Sequence, residues 1–207
     1  MSKEARHARG AVMGKNRFEA FSDGVIAIII TIMVLEMKVP HSADLSALTP
    51  VLPVFLSYLL SFVYVGIYWN NHHHMFQVVT LVNGAMLWAN LHLLFWLSLI
   101  PFTTNWMGEH YTRAVPTAVY GVVLIGAGGA YTILQDTIIR AQGPHSKLQR
   151  AVGSDLKGKL SLAMYAAAIG FSFVRPWIAD ALYVSVALVW FVPDRRIETQ
   201  MREASIR

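Results

Sequence analysis

The chain has 207 residues, of which 55% are hydrophobic and only 14% are charged. A soluble domain has about a quarter of charged residues, so this composition, with its long apolar runs, indicates a helical membrane protein. The absence of cysteine excludes disulfides and thiolate chemistry. The net charge is +5, but the positive side chains flank apolar runs, where topology and anionic lipid account for them. We therefore expect no nucleic-acid partner.

Six apolar segments are predicted to cross the membrane as helices, because each approaches the ~20 residues that a span requires. They cover residues 18–38, 50–69, 78–100, 114–134, 159–174 and 177–192. The fifth is short and is expected to extend toward its N-terminal side. Pro40, Pro101 and Pro193 fall just past span ends, where a proline ends a helix at little cost. The prediction is an all-α integral membrane protein, with residues 1–207 forming one six-span domain.

The distribution of Lys and Arg predicts the orientation. With an inner N-terminus, 14 of these residues lie inside and three lie outside, namely Lys38, Arg113 and Arg175. The positive-inside rule then places both termini in the cytoplasm of a cell inner or plasma membrane. No small-residue cleavage site follows the first apolar run at signal-peptide length, so we expect this helix to be retained.

The first span begins with a polar cluster that includes Arg17, Ser22 and Asp23, directly before an aliphatic run. Polar groups at the edge of the hydrocarbon are costly, and membrane helices that keep them usually use them. Arg17 and Asp23 are six residues apart and point in different directions on a straight helix. Each is therefore expected to find its partner on another helix or another subunit.

One face of this helix carries a ladder of branched aliphatics and one hydroxyl. At about 100° per residue, the stripe consists of Phe21, Gly24, Ile28, Thr31, Ile32 and Leu35. Such a stripe is compatible with ordinary packing or lipid contact and with a hydrophobic channel gate that excludes water. Periodicity alone does not choose between them, and a lone Thr31 often bonds its own backbone.

Two motifs resemble those of a known family. The residues Arg17, Phe21, Ser22 and Asp23 reproduce the R-x-x-x-F-S-D motif of the filter-less potassium channels of the transmembrane protein 175 family, and Trp69, His72 and His73 resemble its W-x-x-H-H signature. The chain length and the six predicted spans are similar to those of the single-repeat prokaryotic members. No Thr-Val-Gly-Tyr-Gly filter is present in the sequence.

The resemblance implies a homotetramer in the lipid membrane whose first helices line a central pore for monovalent cations. It implies a potassium-preferring channel with K⁺ as the permeant ion and no cofactor. A pore constriction at Ile28, Ile32 and Leu35 is implied as well, with selectivity linked to Thr31. The motif residues Arg17, Phe21, Ser22, Asp23, Trp69, His72 and His73 are expected to form one network.

Other chemistry is less well supported by the residues. Consecutive histidines 72–74 point about 100° apart, so we expect no metal site there, although these histidines are candidates for pH sensing. No nucleotide loop, serine elbow or H-E-x-x-H motif appears, so no enzymatic activity is expected. The alternative function is a secondary transporter, with or without proton coupling, that uses Asp23, the histidines 72–74, His92 and Asp180 as relay groups.

Several single residues carry structural expectations. His92 is expected to make an interhelical hydrogen bond, and Glu36 is expected to be a solvated charge at the outer end of the first span. The fourth span contains glycines that are expected to permit close helix contact: Gly121, Gly126, Gly128 and Gly129.

Overall fold

The computed structural model describes residues 3–77, 79, 82–142, 148–149 and 155–191, with side chains described from Gly14 onward. No β-strand occurs in these ranges. The helices, in chain order, are α1 (Lys3–Leu35), a 3₁₀ helix (Leu45–Val51), α2 (Leu52–Gln77), α3 (Gly84–Ser98), α4 (Ile100–Glu109), α5 (Ala114–Gln142), α6 (Leu156–Ser172) and α7 (Pro176–Phe191). The all-α prediction is confirmed.

Four stretches are long and apolar enough to cross a membrane: Gly14–Leu35, Leu45–Gln77, Gly84–Glu109 and Ala114–Gln142. The helix α7 is apolar but has only 16 residues, and α6 has 17. The C-terminal ends of α1 and α4 lie close together. Lys38, three residues after α1, forms an ion pair with Glu109 at the end of α4, with 2.6 Å between Nζ and Oε1. This contact fits a multi-pass arrangement in which the first and third spans run in the same direction.

The third span differs from its prediction because Pro101 does not end it. The helix α3 ends at Ser98, Leu99 forms a short turn, and α4 continues from Ile100 to Glu109 with the proline in its first turn. The first-turn N–H groups of a helix have no partner within the helix, so a proline costs nothing there. The third span is therefore a broken helix, and its predicted end at residue 100 is wrong.

The other boundaries also differ. Helix α1 ends at Leu35, so the predicted end of the first span at residue 38 is wrong. Both α2 and α5 run further than predicted, to Gln77 and Gln142, and His73 consequently lies within α2. The fifth span does extend toward its N-terminal side, to Leu156. The predicted end of the sixth span at residue 192 and the C-terminal arginines lie outside the described residues.

Two hydrophobic clusters hold the helices together. In the first, the inner face of α1 packs against α2, α3 and α5 through buried side chains such as Ile26, Ile29 and Met33. The second surrounds Tyr120 and Tyr183 where α5, α6 and α7 meet α2. Because one face of α1 packs in the first cluster, its opposite face points away from the other described helices.

Two glycines of α5 allow the closest helix contacts. A Cβ at Gly126 would overlap the Trp96 indole, and one at Gly121 would overlap the Tyr183 phenol. Gly128 is also close to a neighbour, since a Cβ there would lie 3.0 Å from Leu162 Cδ2. Gly129 has nothing within 4 Å, so the prediction of close contact is wrong for this one glycine within the described chain.

Candidate functional site

The chain leaves an aliphatic stripe of α1 uncovered. Ile28 is 57% exposed, Ile32 40% and Leu35 80%, whereas Ile29 and Met33, on the other side of the helix, are each 3% exposed. These three exposed residues are the ones on the stripe that the sequence predicted. Large apolar side chains with this exposure mark a surface that meets lipid, another subunit or a pore.

Thr31 lies on the same exposed stripe. Its hydroxyl donates a hydrogen bond to the Ile28 carbonyl oxygen at 2.9 Å, three residues earlier in the helix. The hydroxyl proton is therefore engaged, and the oxygen lone pairs remain available as acceptors. A hydroxyl in this state can present an oxygen to a cation.

The inner half of α1 is tied to α2 and α3 by a buried hydrogen-bond chain. Asn90 Nδ2 on α3 donates to Ser22 Oγ at 2.9 Å, and Ser22 Oγ donates to the Phe18 carbonyl at 3.0 Å. The Asn90 carbonyl oxygen lies 2.8 Å from His72 Nε2 on α2. Because an amide oxygen only accepts, this arrangement assigns the proton to Nε2 of His72. Three helices thus share one buried polar chain.

A second contact between α1 and α2 lies nearer the surface. Trp69 Nε1 donates to Asp23 Oδ1 at 3.0 Å, which answers the expectation that this carboxylate finds its partner on another helix. The His73 ring stacks on Trp69 with a centroid separation of 6.0 Å. His73 Nε2 also lies 2.9 Å from Gln77 Nε2. The W-x-x-H-H residues therefore split between the buried chain and this outer contact.

Aromatic packing reinforces the buried chain. Phe18 is 6% exposed, and its ring lies 4.6 Å from Phe76 and 6.3 Å from His72, measured between centroids. His72 itself is 4.6 Å from Phe76. The inner end of α1 is consequently fixed to α2 by both rings and hydrogen bonds.

Two motif residues make none of these contacts. The side chain of Arg17 is exposed and has no partner in the described part of the chain, and Phe21 is 54% exposed. The geometry therefore brings together Ser22, Asp23, Trp69, His72 and His73, while Arg17 and Phe21 face away from their own subunit.

Two further polar residues behave differently from their sequence expectations. His92 accepts a hydrogen bond from Trp96 Nε1 at 3.0 Å within α3, and it makes no interhelical bond within the described residues, contrary to its prediction. Glu36 is partly buried, and its Oε2 has no partner within the described residues, so it is not a solvated end charge. Burial raises the pKa of the Glu36 carboxyl above its ordinary value. Asp180 Oδ1 is likewise buried without a described partner.

Asn90 is the residue that sequence reasoning missed. It sits in an apolar helix next to leucines, at 1% exposure. Burying an amide at that depth costs free energy unless the amide is hydrogen-bonded. An asparagine in the middle of an apolar span could therefore have been predicted to have a bonding partner. The ion pair between Lys38 and Glu109 was missed as well, because the predicted third span ended before Glu109. Within the described residues, no group of three His, Cys, Asp or Glu side chains is arranged to hold a metal ion.

Similar known proteins give independent evidence of the family to which this chain belongs. The family model described as the endosomal/lysosomal potassium channel TMEM175 matches residues 17–101. A potassium channel of Chryseobacterium sp. (strain P1-3) is 56% identical over 191 residues, which cover 92% of this chain and 100% of that protein. The human endosomal/lysosomal proton channel TMEM175 is 38% identical over 86 residues, which cover 36% of this chain and 17% of that protein.

A solved structure gives the same relationship at the level of the fold. The crystal structure of a lysosomal potassium-selective channel TMEM175 homolog from Chamaesiphon minutus superposes with a TM-score of 0.77 at 26% identity, covering 87% of this chain and 97% of that one. Near-complete coverage of a relative at more than half identity, together with the motif residues on α1 and α2, shows that this chain belongs to the TMEM175 family.

Proposed function

We propose that the protein is a potassium-preferring cation channel. The observation that carries the proposal is the exposed aliphatic stripe of α1, in a chain that is 56% identical to a protein named as a potassium channel. The single-repeat structural relative is also named potassium-selective. The permeant ion in this proposal is K⁺, without a cofactor, and no catalytic role is part of it.

The proposal includes a homotetramer in which four copies of α1 surround a central pore. One α1 per subunit encloses no path, so a pore lined by this helix requires several subunits around an axis. The uncovered stripe supports this arrangement, because each subunit leaves that face free. We also propose that both termini are cytoplasmic in the cell inner or plasma membrane, following the positive-inside rule, and that residues 1–207 form one channel domain.

In this arrangement Ile28, Ile32 and Leu35 form the narrow part of the pore. Rings of aliphatic side chains exclude water from a short constriction, and a dry segment blocks ions until it widens. The Thr31 hydroxyl lies between these rings and offers oxygen to a partly dehydrated ion. Because this contact is sparse compared with a carbonyl-lined filter, we expect moderate selectivity for potassium over sodium.

The buried chain of Ser22, Asn90 and His72 has a positioning role in the proposal. It fixes the inner end of α1 against α2 and α3 at hydrogen-bond distances. A pore helix anchored in this way keeps its rotation, so the same side chains remain turned toward the axis. The contact between Trp69 and Asp23 supports the same rotation from the surface side.

Potassium flux into liposomes, together with single-channel recording, tests the proposal. Ile28→Asn is expected to wet the constriction and to raise the conductance. Ile28→Leu is the conservative control and should leave the conductance near that of the wild type. Val34→Asn places the same polar group on an exposed position of α1, about 120° from Ile28, and should change the conductance little.

Each arm has an outcome against the proposal. Equal conductance in the wild type and Ile28→Asn would exclude this residue from the constriction, and a rise in Val34→Asn as large as in Ile28→Asn would exclude the stripe. Native mass spectrometry of the purified protein tests the tetramer directly. A monomer or dimer that still carries potassium would contradict the pore arrangement.

The alternative is a secondary transporter, with or without proton coupling. The described structure brings only some of its candidate relay groups together. His73 stacks on the indole that bonds Asp23, whereas His92 bonds within α3 and Asp180 lies on α7. Passive, voltage-driven current supports the channel, whereas flux that requires a fixed stoichiometry of counter-ion supports the transporter.

A further inference from the structure

A second site lies inside each subunit, on the side of α2 away from the α1 contact. Here α2, α5, α6 and α7 enclose a partly open cavity of about 50 Å³. Its walls include the rings of Tyr68, Tyr131 and Tyr165, and the side chain of Asn71 and the carboxylate of Asp155 also reach it. Nothing in the proposed pore uses this cavity.

The cavity is lined by polar groups that can meet a ligand. The side chains of Tyr68, Tyr131 and Asn71 line it, and they make no hydrogen bond within the described part of the chain. Hydroxyl and amide groups at a cavity wall can bond to water or to a ligand. A cavity needs about 10–15 Å³ for one water, so this one holds several waters or the head of a small ligand.

Charge identifies the class of ligand. Asp155 is the acidic residue of the lining, and no Lys, Arg or His is among the described lining residues. One oxygen of Asp155 accepts from the Gly158 backbone N–H at 3.2 Å, where this residue caps α6. Within the described residues it forms no ion pair. Its carboxylate is thus available to a cation that enters the cavity.

Burial raises the pKa of the Asp155 carboxyl, while the nearby Lys159 opposes this effect and Asp136 adds to it. Asp155 is only partly exposed at the cavity wall, and a cation bound there would stabilise its ionised form.

The aromatic walls favour an organic cation over a metal ion. Tyr68 and Tyr131 meet edge to face with centroids 6.1 Å apart, and Tyr64 and Tyr165 do the same at 6.1 Å. The negative faces of such rings attract ammonium groups, whereas divalent ions require several oxygen ligands with carboxylates among them. One carboxylate beside several phenol rings is the composition of an ammonium site.

We propose that this cavity binds an organic ammonium group, with Asp155 as its counter-ion and the tyrosine rings as its walls. The group can belong to a free small amine or to the ethanolamine head of a phospholipid. Asp155 precedes α6 and Trp190 lies near the end of α7, and tryptophan is enriched at membrane interfaces. The cavity is therefore at a depth that a headgroup reaches.

Binding to the full-length protein tests the proposal without using ion flux. The protein is placed in nanodiscs of phosphatidylglycerol, which lacks an ammonium group. One arm titrates radiolabelled choline, and the other titrates phosphatidylethanolamine followed by native mass spectrometry. Saturable choline binding identifies a free-amine site, and retention of phosphatidylethanolamine alone identifies a lipid site; both support an ammonium site.

Matched variants assign the binding to this cavity. Asp155→Asn removes the charge, and asparagine also accepts the cap hydrogen bond and tolerates the positive φ of 43° at this position. It is expected to weaken binding about tenfold, as is Tyr131→Leu, which removes one aromatic wall. Asp44→Asn removes an exposed carboxylate beside the 3₁₀ helix, outside the cavity, and should leave binding unchanged.

Three results would overturn the proposal. These are the absence of saturable binding in both arms, equal binding in the wild type and Asp155→Asn, or a loss in Asp44→Asn equal to that in Asp155→Asn. If Asp155→Asn does not fold, Asp155→Ser keeps a cap acceptor and serves the same comparison. A failure of potassium flux leaves this measurement intact, so the two proposals fail separately.

Discussion

Asn90 on α3 donates its amide N–H to the Ser22 hydroxyl on α1 at 2.9 Å, and the bond is fully buried. The other end of the same amide contacts His72 on α2. One side chain thus couples the motif of the first helix to the histidine of the second. This bond explains why Ser22 stands in a helix that is otherwise aliphatic on its inner face.

Replacing Asn90 gives the first prediction. Asn90→Leu leaves both Ser22 and His72 without their buried partner, so the free energy of unfolding should fall by about 1–2 kcal/mol. The measurement is the thermal unfolding temperature in detergent. Asn70→Leu is the matched control, because Asn70 is exposed on α2 and makes no hydrogen bond in the described structure. Equal unfolding temperatures for the two variants would contradict the role of Asn90.

The sequence predicted the helices better than the network. The apolar stripe of α1 and the pairing of Asp23 with another helix followed from periodicity and from the cost of a charge at the hydrocarbon edge. The amide chain through Asn90 did not follow, since a single sequence does not reveal which helix faces which. The break at Leu99 was also missed, because a proline is compatible with both the end and the start of a helix.

Helix packing against α5 gives the second prediction. Gly126→Ala places a methyl group into the Trp96 indole, and overpacking of this kind costs about 1–3 kcal/mol. Gly129→Ala meets no atom within 4 Å and should leave stability unchanged or raise it by less than about 1 kcal/mol through helix propensity. Unfolding temperatures of the two variants in one detergent provide the comparison. A Gly126→Ala protein as stable as Gly129→Ala would contradict the close contact.

Thr31 gives the selectivity prediction. Its hydroxyl oxygen is the polar atom among the exposed aliphatics of the stripe, and its proton is held by the Ile28 carbonyl at 2.9 Å. Removing the oxygen while keeping the shape, as in Thr31→Val, should lower the permeability ratio of potassium to sodium by roughly two- to tenfold, the value of one lost polar contact. Thr31→Ser keeps the oxygen and should keep most of the ratio. Reversal potentials in a potassium/sodium gradient measure both variants. A reversal potential in Thr31→Val equal to that of the wild type would show that Thr31 does not contact the permeating ion. The proposed constriction at Ile28 is tested separately by the Ile28 variants.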